Sequence, residues 1–269
     1  MFSPLLVVLF PAPLTWTTSC SQADPARLLS CPNFPKANDM ETWNWPGFFG
    51  YLFNSYILGG VVTTIWLTVV SLIGGLVLGF ILALMRRSHA QPVKIFARFY
   101  IWLFRGTPLL VQLIIIYTAL PQLGIRFSVI EAALLGLALN EAAYLAEIIR
   151  SGIQAVPEGQ TRAGRALGMT ERKIMRHIVM PQAFKVIIPP LGNSVNGLLK
   201  TTSVTSVISM EELLRRTQVL IQEKFMVLEL FAVAAIYYLV LTTLWDLVQR
   251  RIEKRFGRST AHVSLAEQR

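Results

Sequence analysis

The sequence predicts an all-α integral membrane protein of about five transmembrane helices. Its N-terminus lies outside, its C-terminus in the cytoplasm, and a cytoplasmic helical hairpin joins spans three and four. Three observations predict this. Charged residues make up 15% of the 269 positions and apolar residues 54%, with a mean hydropathy of +0.53. A soluble domain carries roughly 25% charged and about 45–50% apolar residues. Five apolar stretches approach the length of about 20 residues that a spanning helix needs, and Lys and Arg gather in alternate connections.

Residues 1–50 read as an extracytoplasmic N-terminal segment. Phe2 to Leu14 is apolar and Ser21-Gln22-Ala23 resembles a small-residue cleavage site, as in a signal peptide. The lack of a basic n-region and the prolines Pro4, Pro11 and Pro13 argue against cleavage. If the segment is retained, Cys20 and Cys31 stand in an oxidising compartment, either paired or as two thiols.

Residues 51–255 hold the transmembrane domain. No charged residue occurs between Glu41 and Arg86, and Tyr56 to Leu84 is the first span. Its Gly75 and Gly79 allow another helix to approach closely. The second span runs from Phe96 to Leu120, with Arg105 and Pro108 marking a bend. The third, Val129 to Ile149, contains Glu131, Glu141 and Glu147. The fourth, Val186 to Ser209, contains Lys200. The fifth, Phe225 to Val248, contains Glu229 and Asp246. Residues 256–269 form a cytoplasmic tail.

Of the 25 basic residues, 17 fall in the connection after span one, the connection between spans three and four (Arg150 to Lys185, whose loop is residues 153–185), and the C-terminal region from Arg250. Six fall on the other side, which puts the N-terminus outside. The net charge of +10 is thus explained by cytoplasmic loops and does not call for a nucleic-acid partner. The chain has no GxxxxGK[ST], HExxH or CxxC, and His89, His177 and His262 lie far apart. No ATP-binding loop, metal site or catalytic constellation is expected, so the chain reads as a transport subunit and not an enzyme.

The long cytoplasmic connection is legible residue by residue. Pro157 suits a helix start and Glu158 places negative charge in the first turn. Ala163, Ala166 and Leu167 share a face, and Gly168 stands where a helix ends in a left-handed turn. Thr170 caps a second helix with Glu171 in its first turn. Ile174 and Ile178 share one face, and Pro181 falls near the second helix's end. A hairpin with a narrow apolar face and a basic rim suits a groove on a partner protein.

The hairpin resembles the EAA loop of permease subunits of binding-protein-dependent ABC importers. Arg162-Ala163-Gly164, then Gly168, then Ile178-Val179-Met180-Pro181 reproduce its spacing, with Arg162 replacing Glu, Gly164 replacing Ala and Met180 replacing Leu. FRGTPLLVQL (104–113), NEAAYLAEIIRSGI (140–153) and LLKTTSVTSVIS (198–209) are similar to permeases of the polar amino acid group. The resemblance implies a bacterial inner-membrane protein moving a polar amino acid inward by alternating access. It implies a second permease subunit, identical or homologous, two ATPase subunits carrying ATP-Mg, and an extracytoplasmic amino-acid-binding protein. The ATPase-coupling residues would be Glu158, Arg162, Ala163, Gly164, Ala166, Leu167, Gly168, Ile178 and Pro181, with the charge reversal at Arg162 altering any acidic contact there.

Ionisable groups at membrane depth cost about 2.5–3.5 kcal/mol on insertion scales and usually face the bundle interior or a water-filled path. Glu141 and Lys200, with Thr201, Thr202 and Arg105, are therefore candidates for the translocation path or its gate. Glu141 and Lys200 would also suit a structural pair, or an interface contact with a partner permease. Glu147 and Arg150 suit a surface i,i+3 pair. Glu211, Glu212, Arg215 and Arg216 suit an outer amphipathic segment or a contact with a delivery protein. A rival of another class is a proton- or ion-coupled secondary transporter relaying through Glu141 and Lys200.

Overall fold

The computed structural model describes residues 43–257, and all regular structure among them is helical. The candidate cleavage site, Cys20 and Cys31 lie outside the described residues, as does the tail from 258 onward. A short helix, α1 (Trp45–Leu52), is capped by Asn44, whose side chain accepts from Gly47 N at 2.8 Å. α2 (Ser55–Arg86) follows, with Asn54 accepting from Tyr56 N at its start. α5 (Val129–Gln154) opens with a capping box. Ser128 Oγ accepts from Glu131 N at 3.3 Å, and Glu131 Oε2 accepts from Ser128 N at 2.8 Å. These reciprocal bonds satisfy donors that a helix start leaves open.

α2, α5 and the last helix, α10 (Val227–Gly257), contain segments long and apolar enough to cross a membrane. α2 and α5 form the central pair of the bundle. Lipid tails are as apolar as leucine, so close fit decides helix pairing in a bilayer. Gly75 and Gly79 supply that fit. A Cβ on Gly79 would lie 3.0 Å from both Ala142 O and Leu145 Cβ, and one on Gly75 would lie 3.1 Å from Glu141 Cβ. The helix that these glycines admit is thus α5 of the same chain. The outward sides of α2, α3 (Gln91–Gly106) and α10 leave Val62, Ile73, Trp102 and Leu239 exposed.

The expected second span is not one continuous helix. α3 stops at Gly106, and α4 (Leu109–Ile114), a π turn (Ile115–Ala119) and a 3-10 turn (Leu120–Leu123) continue at 104° to it. The cause is Pro108, which lacks an N–H and drives the preceding residue out of the helical region. Thr107 accordingly sits at φ −114°, ψ 143°. Gln112 Nε2 donates to Phe104 O (3.0 Å), Thr107 O (3.1 Å) and Thr107 Oγ1 (2.8 Å), taking up the carbonyls freed at the break. Asn140 Nδ2 reaches across from α5 to Phe104 O and to Gln112 Oε1.

The expected fourth span, 186–209, is α8 (Met180–Thr201) extended by a 3-10 turn (Thr202–Ile208). α8 is long enough to span but less apolar than the other three, because Asn193, Ser194, Asn196 and Lys200 interrupt it. Its polar positions meet α10. Asn196 Nδ2 donates to Asp246 Oδ1 at 2.6 Å, Trp245 Nε1 to Gly192 O at 2.8 Å, and Gln249 Nε2 to Asn193 Oδ1 at 3.1 Å.

The segment expected on the outer side is more internal than its charges suggested. Glu212 is fully buried at the start of α9 (Leu213–Lys224). It accepts from Arg215 N and from Tyr238 Oη, each at 2.8 Å. Glu212 is therefore an internal clamp between α9 and α10, which corrects the surface role the sequence suggested for it. Arg216 Nη1 donates to Tyr56 O at 2.9 Å.

Candidate functional site

A cavity of about 600 Å³ opens where the α3–α4 break meets α5 and α8. Arg105, Thr107 and Pro108 line it from the break, Asn140, Glu141 and Tyr144 from α5, and Ser194, Gly197 and Thr201 from α8. Glu141 is buried, and Ser194 Oγ donates to its Oε1, so one bond ties the two helical walls together. The Arg105 guanidinium lies 5.4 Å from the Tyr144 ring centroid. That is within cation–π range and holds the cation at the cavity's edge. Thr201 Oγ1 donates to Gly197 O at 2.9 Å. The cavity thus offers an acid, a base, hydroxyls and an amide over apolar walls, a set suited to a small polar solute.

Three of the five path candidates, Glu141, Arg105 and Thr201, share this cavity. Lys200 and Thr202 do not line it. Lys200 is exposed and makes no ion pair among the described residues. Thr202 is fully buried, and its hydroxyl donates to Leu199 O at 2.8 Å. A Glu141–Lys200 pair does not form: Lys200 lies off the face of α8 that carries Ser194, and Ser194 bonds to the carboxylate. Ser194, Tyr144 and Gly197 were not anticipated. The signal for Ser194 was a lone serine between two asparagines in an apolar helix, which carries little information by itself. Glu147 is more than a surface partner. It accepts from Arg150 Nε at 2.8 Å and also from Arg86, linking α5 to the end of α2.

The hairpin begins four residues after α5 ends. α6 (Glu158–Ala166) follows Pro157, which takes the N-cap position. Gly168 sits at φ +72°. Gly168 N donates to Arg165 O at 2.9 Å and Met169 N to Gly164 O at 3.0 Å, the paired bonds of a Schellman ending. Thr170 is the N-cap of α7 (Glu171–Ile174), with no bond from its side chain. Buried Gly164 lies against the second helix, and a Cβ there would be 2.9 Å from Ile178 Cδ1 and 3.0 Å from Ile174 Cγ1. Glycine in place of the family's alanine lets the two helices close up. Ala163, Ala166 and Leu167 face outward, and Leu167 is 80% exposed.

Two charge pairs brace the outer side. Arg162 Nη2 donates to Glu158 Oε2 at 2.7 Å, and Arg165 Nε to Glu171 Oε1 at 2.6 Å. The Arg165 bond holds the Glu171 carboxyl below its ordinary value and raises the guanidinium's own. The second helix does not end near Pro181 as expected. It passes through a π turn (Met175–Val179) straight into α8. Proline cannot donate to the carbonyl one turn back and its ring crowds that oxygen. The wider π turn immediately before Pro181 relieves the crowding, with Met180 N donating to Met175 O.

Residues 75–258 match the family described as the binding-protein-dependent transport system inner membrane component. The chain belongs to this family. The match begins at the α2 glycine pair and takes in both the cavity and the hairpin. Among its relatives is the arginine transport system permease protein ArgU of Corynebacterium glutamicum, 40% identical over 85% of this chain and 77% of that protein. Another is the L-cystine transport system permease protein TcyB of Bacillus subtilis, 40% identical over 76% of this chain and 87% of the relative. A crystal structure of an amino acid ABC transporter with histidines superposes with a TM-score of 0.76 at 37% identity. It covers 80% of this chain and 99% of that one. Family membership and the apolar helices make this a multi-pass membrane protein.

Proposed function

We propose that this chain is the permease subunit of an ABC importer that carries a polar amino acid into the bacterial cytoplasm by alternating access. ATP hydrolysis takes place on separate ATPase subunits. The observation that carries the proposal is the cavity between α5 and α8, whose walls are joined in sequence by the hairpin. An amino acid presents a carboxylate and an ammonium, and Arg105 and Glu141 line one cavity with opposite charges. The relatives named for arginine and cystine, and the transporter solved with histidines, support the amino acid class.

In this reading the membrane is crossed five times, the bent α3–α4 pair and α8 with its 3-10 extension each counting as one crossing. The hairpin and the 256–269 tail lie in the cytoplasm. The exposed Ala163, Ala166 and Leu167 dock in a groove of the ATPase, with Glu158 and Arg162 at its rim. A second permease subunit, identical or homologous, completes the pathway, and an extracytoplasmic binding protein delivers the amino acid. A ligand-driven change needs different contacts in two states, and closure of the ATPases supplies that difference at the hairpin.

The relay alternative requires Glu141 and Lys200 to face each other. Glu141 bonds to Ser194 and Lys200 is exposed, so no observation favours it. Reconstitution decides between them. Proteoliposomes holding this chain with its ATPase and binding protein should concentrate the amino acid only when ATP is present on the hairpin side. A protonophore should leave uptake intact. Uphill uptake by the chain alone, or abolition by the protonophore, would overturn the proposal.

A further inference from the structure

A second hollow lies at the basic end of the bundle, apart from the cavity described above. It is a groove of about 650 Å³ between the last turns of α2, the end of α5 and the helix that runs from α7 into α8. Phe80, Leu84, Ile149, Ile153, Met180 and Phe184 line its apolar length. Arg87, Arg172 and Arg176 stand at its mouth. All three are exposed, and none makes an ion pair among the described residues. The acid beside them, Glu171, is engaged by Arg165 at 2.6 Å. Glu171 lines the groove as well, and three arginines against this one engaged acid leave the mouth with net positive charge at the end of an apolar channel.

Its depth along the bundle restricts what can fill it. Arg86 and Arg87 end the long uncharged run of α2, so the mouth lies where hydrocarbon gives way to headgroups. Leu84 and Phe80 lie one and two turns back inside the hydrocarbon. A small free anion would leave that channel empty. A zwitterionic lipid would set its own cation among three arginines. We propose that the groove holds one anionic phospholipid. Its phosphodiester meets Arg87, Arg172 and Arg176, and an acyl chain lies along Phe80, Leu84, Met180 and Phe184. Basic pockets between transmembrane helices at this level suit such headgroups. The lipid ties the end of α2 to the second helix of the hairpin, so the bilayer's anionic lipid content sets how firmly the hairpin is held. This inference does not depend on which solute is carried.

Native mass spectrometry of the full assembled transporter, released from micelles containing phosphatidylglycerol or phosphatidylcholine, tests it. Phosphatidylglycerol should be retained in preference. Each Arg→Gln change at positions 87, 172 and 176 should lower that retention about fivefold. Leu84→Trp, which fills the channel without altering charge, should lower it as well. Arg126→Gln, at an exposed site at the other end of the bundle, should not. If one of the arginine variants fails to assemble, the remaining single Arg→Gln variants and Leu84→Trp decide. Equal retention of both lipids, or no loss in these variants, overturns the proposal. Displacement by inorganic phosphate also overturns it in favour of a simple anion site. Absence of lipid from the assembled transporter overturns it in favour of a protein surface covering the groove.

Discussion

Replacing Gly168 isolates the contribution of a single backbone conformation to the hairpin. A Cβ added there would meet nothing within 4 Å, so packing does not enter. The whole penalty is that of holding φ at +72°. For a residue with a Cβ this is about 1–2 kcal/mol, which raises the population of the opened turn roughly five- to thirtyfold. Asparagine, which tolerates the left-handed region, should cost least, alanine more, and β-branched valine most. Opening the turn breaks two bonds, Gly168 N to Arg165 O and Met169 N to Gly164 O. Amide hydrogen exchange at Met169, read on peptides of the assembled transporter, should therefore accelerate in the order Asn, Ala, Val. ATP hydrolysed per amino acid imported should rise in the same order, with membrane insertion unaffected. Unchanged exchange in Gly168→Val would refute the claim that the turn needs glycine. Faster exchange with unchanged coupling would detach the hairpin from transport.

The cavity, the break and the hairpin brace each give a further expectation. Glu141→Gln keeps the shape but removes the charge that Ser194 supports, a charge-assisted bond of about 1.5–3 kcal/mol. Uptake should fall by at least about tenfold, with normal insertion, and undiminished uptake would remove Glu141 from the path. Gln112→Leu takes the side-chain donor from Thr107 O and removes one of two bonds at each of Phe104 O and the Asn140 amide, which keep each other. Thermal unfolding in detergent should report a loss of about 1–3 kcal/mol, and an unchanged midpoint would mean that water replaces the amide. The hairpin should also respond to acid. Glu171 is held below its ordinary 4.5 by the Arg165 bond, and a depressed carboxyl adds stability that is lost as pH falls through the lowered value. Exchange protection at Met169 should thus hold at neutral pH and weaken only in acid below about 4.5, with Glu171→Gln abolishing the dependence; weakening near neutrality would contradict the assignment.

Local chemistry was readable in the sequence wherever it depends on a few adjacent residues. Gly168 and Thr170 mark the hairpin turn because a positive φ and an N-cap position each favour particular residue types. The first span followed from the uncharged run between Glu41 and Arg86, which α2 fills from Ser55 to Arg86. What escaped was set by neighbours distant in sequence. Pro108 announces a break, but its 104° is fixed by Gln112 and Asn140 bonding to carbonyls up to 36 positions away. Pro181 looked like a helix stop because a π turn that absorbs a proline has no compositional signature of its own. Glu141 stood out as a carboxylate in an apolar run, whereas its partner Ser194 did not. Lys200 failed as its partner for a reason of helical phase. Ser194, Gly197 and Thr201 share one face of α8, and Lys200 lies about 100° round from Thr201.

The order of elements along the chain gives the hairpin a direct mechanical route to the cavity. α5 carries Glu141 and runs on into the hairpin at Gln154, while α8 leaves the hairpin through the π turn and carries Ser194, Gly197 and Thr201. The two walls of the cavity are therefore the two arms on which the hairpin is mounted. No other helix needs to relay a displacement. The Glu141–Ser194 bond is a polar cross-link between those arms, and the other face of α8 is tied to α10 by Asn196 Nδ2 donating to Asp246 and by Trp245 Nε1 donating to the Gly192 carbonyl. On the α5 side, Arg86 and Arg150 converge on Glu147 and fix that helix to α2. A push on the hairpin thus meets two anchored helices that share one buried polar cross-link and an apolar seam. The two arms also share apolar packing, Ile148 and Ile153 against Ala183 and Ile187 near the hairpin and Leu137 against Leu198 beyond the cavity, so a change in their separation at the cavity has to break the Glu141–Ser194 bond and slide these contacts.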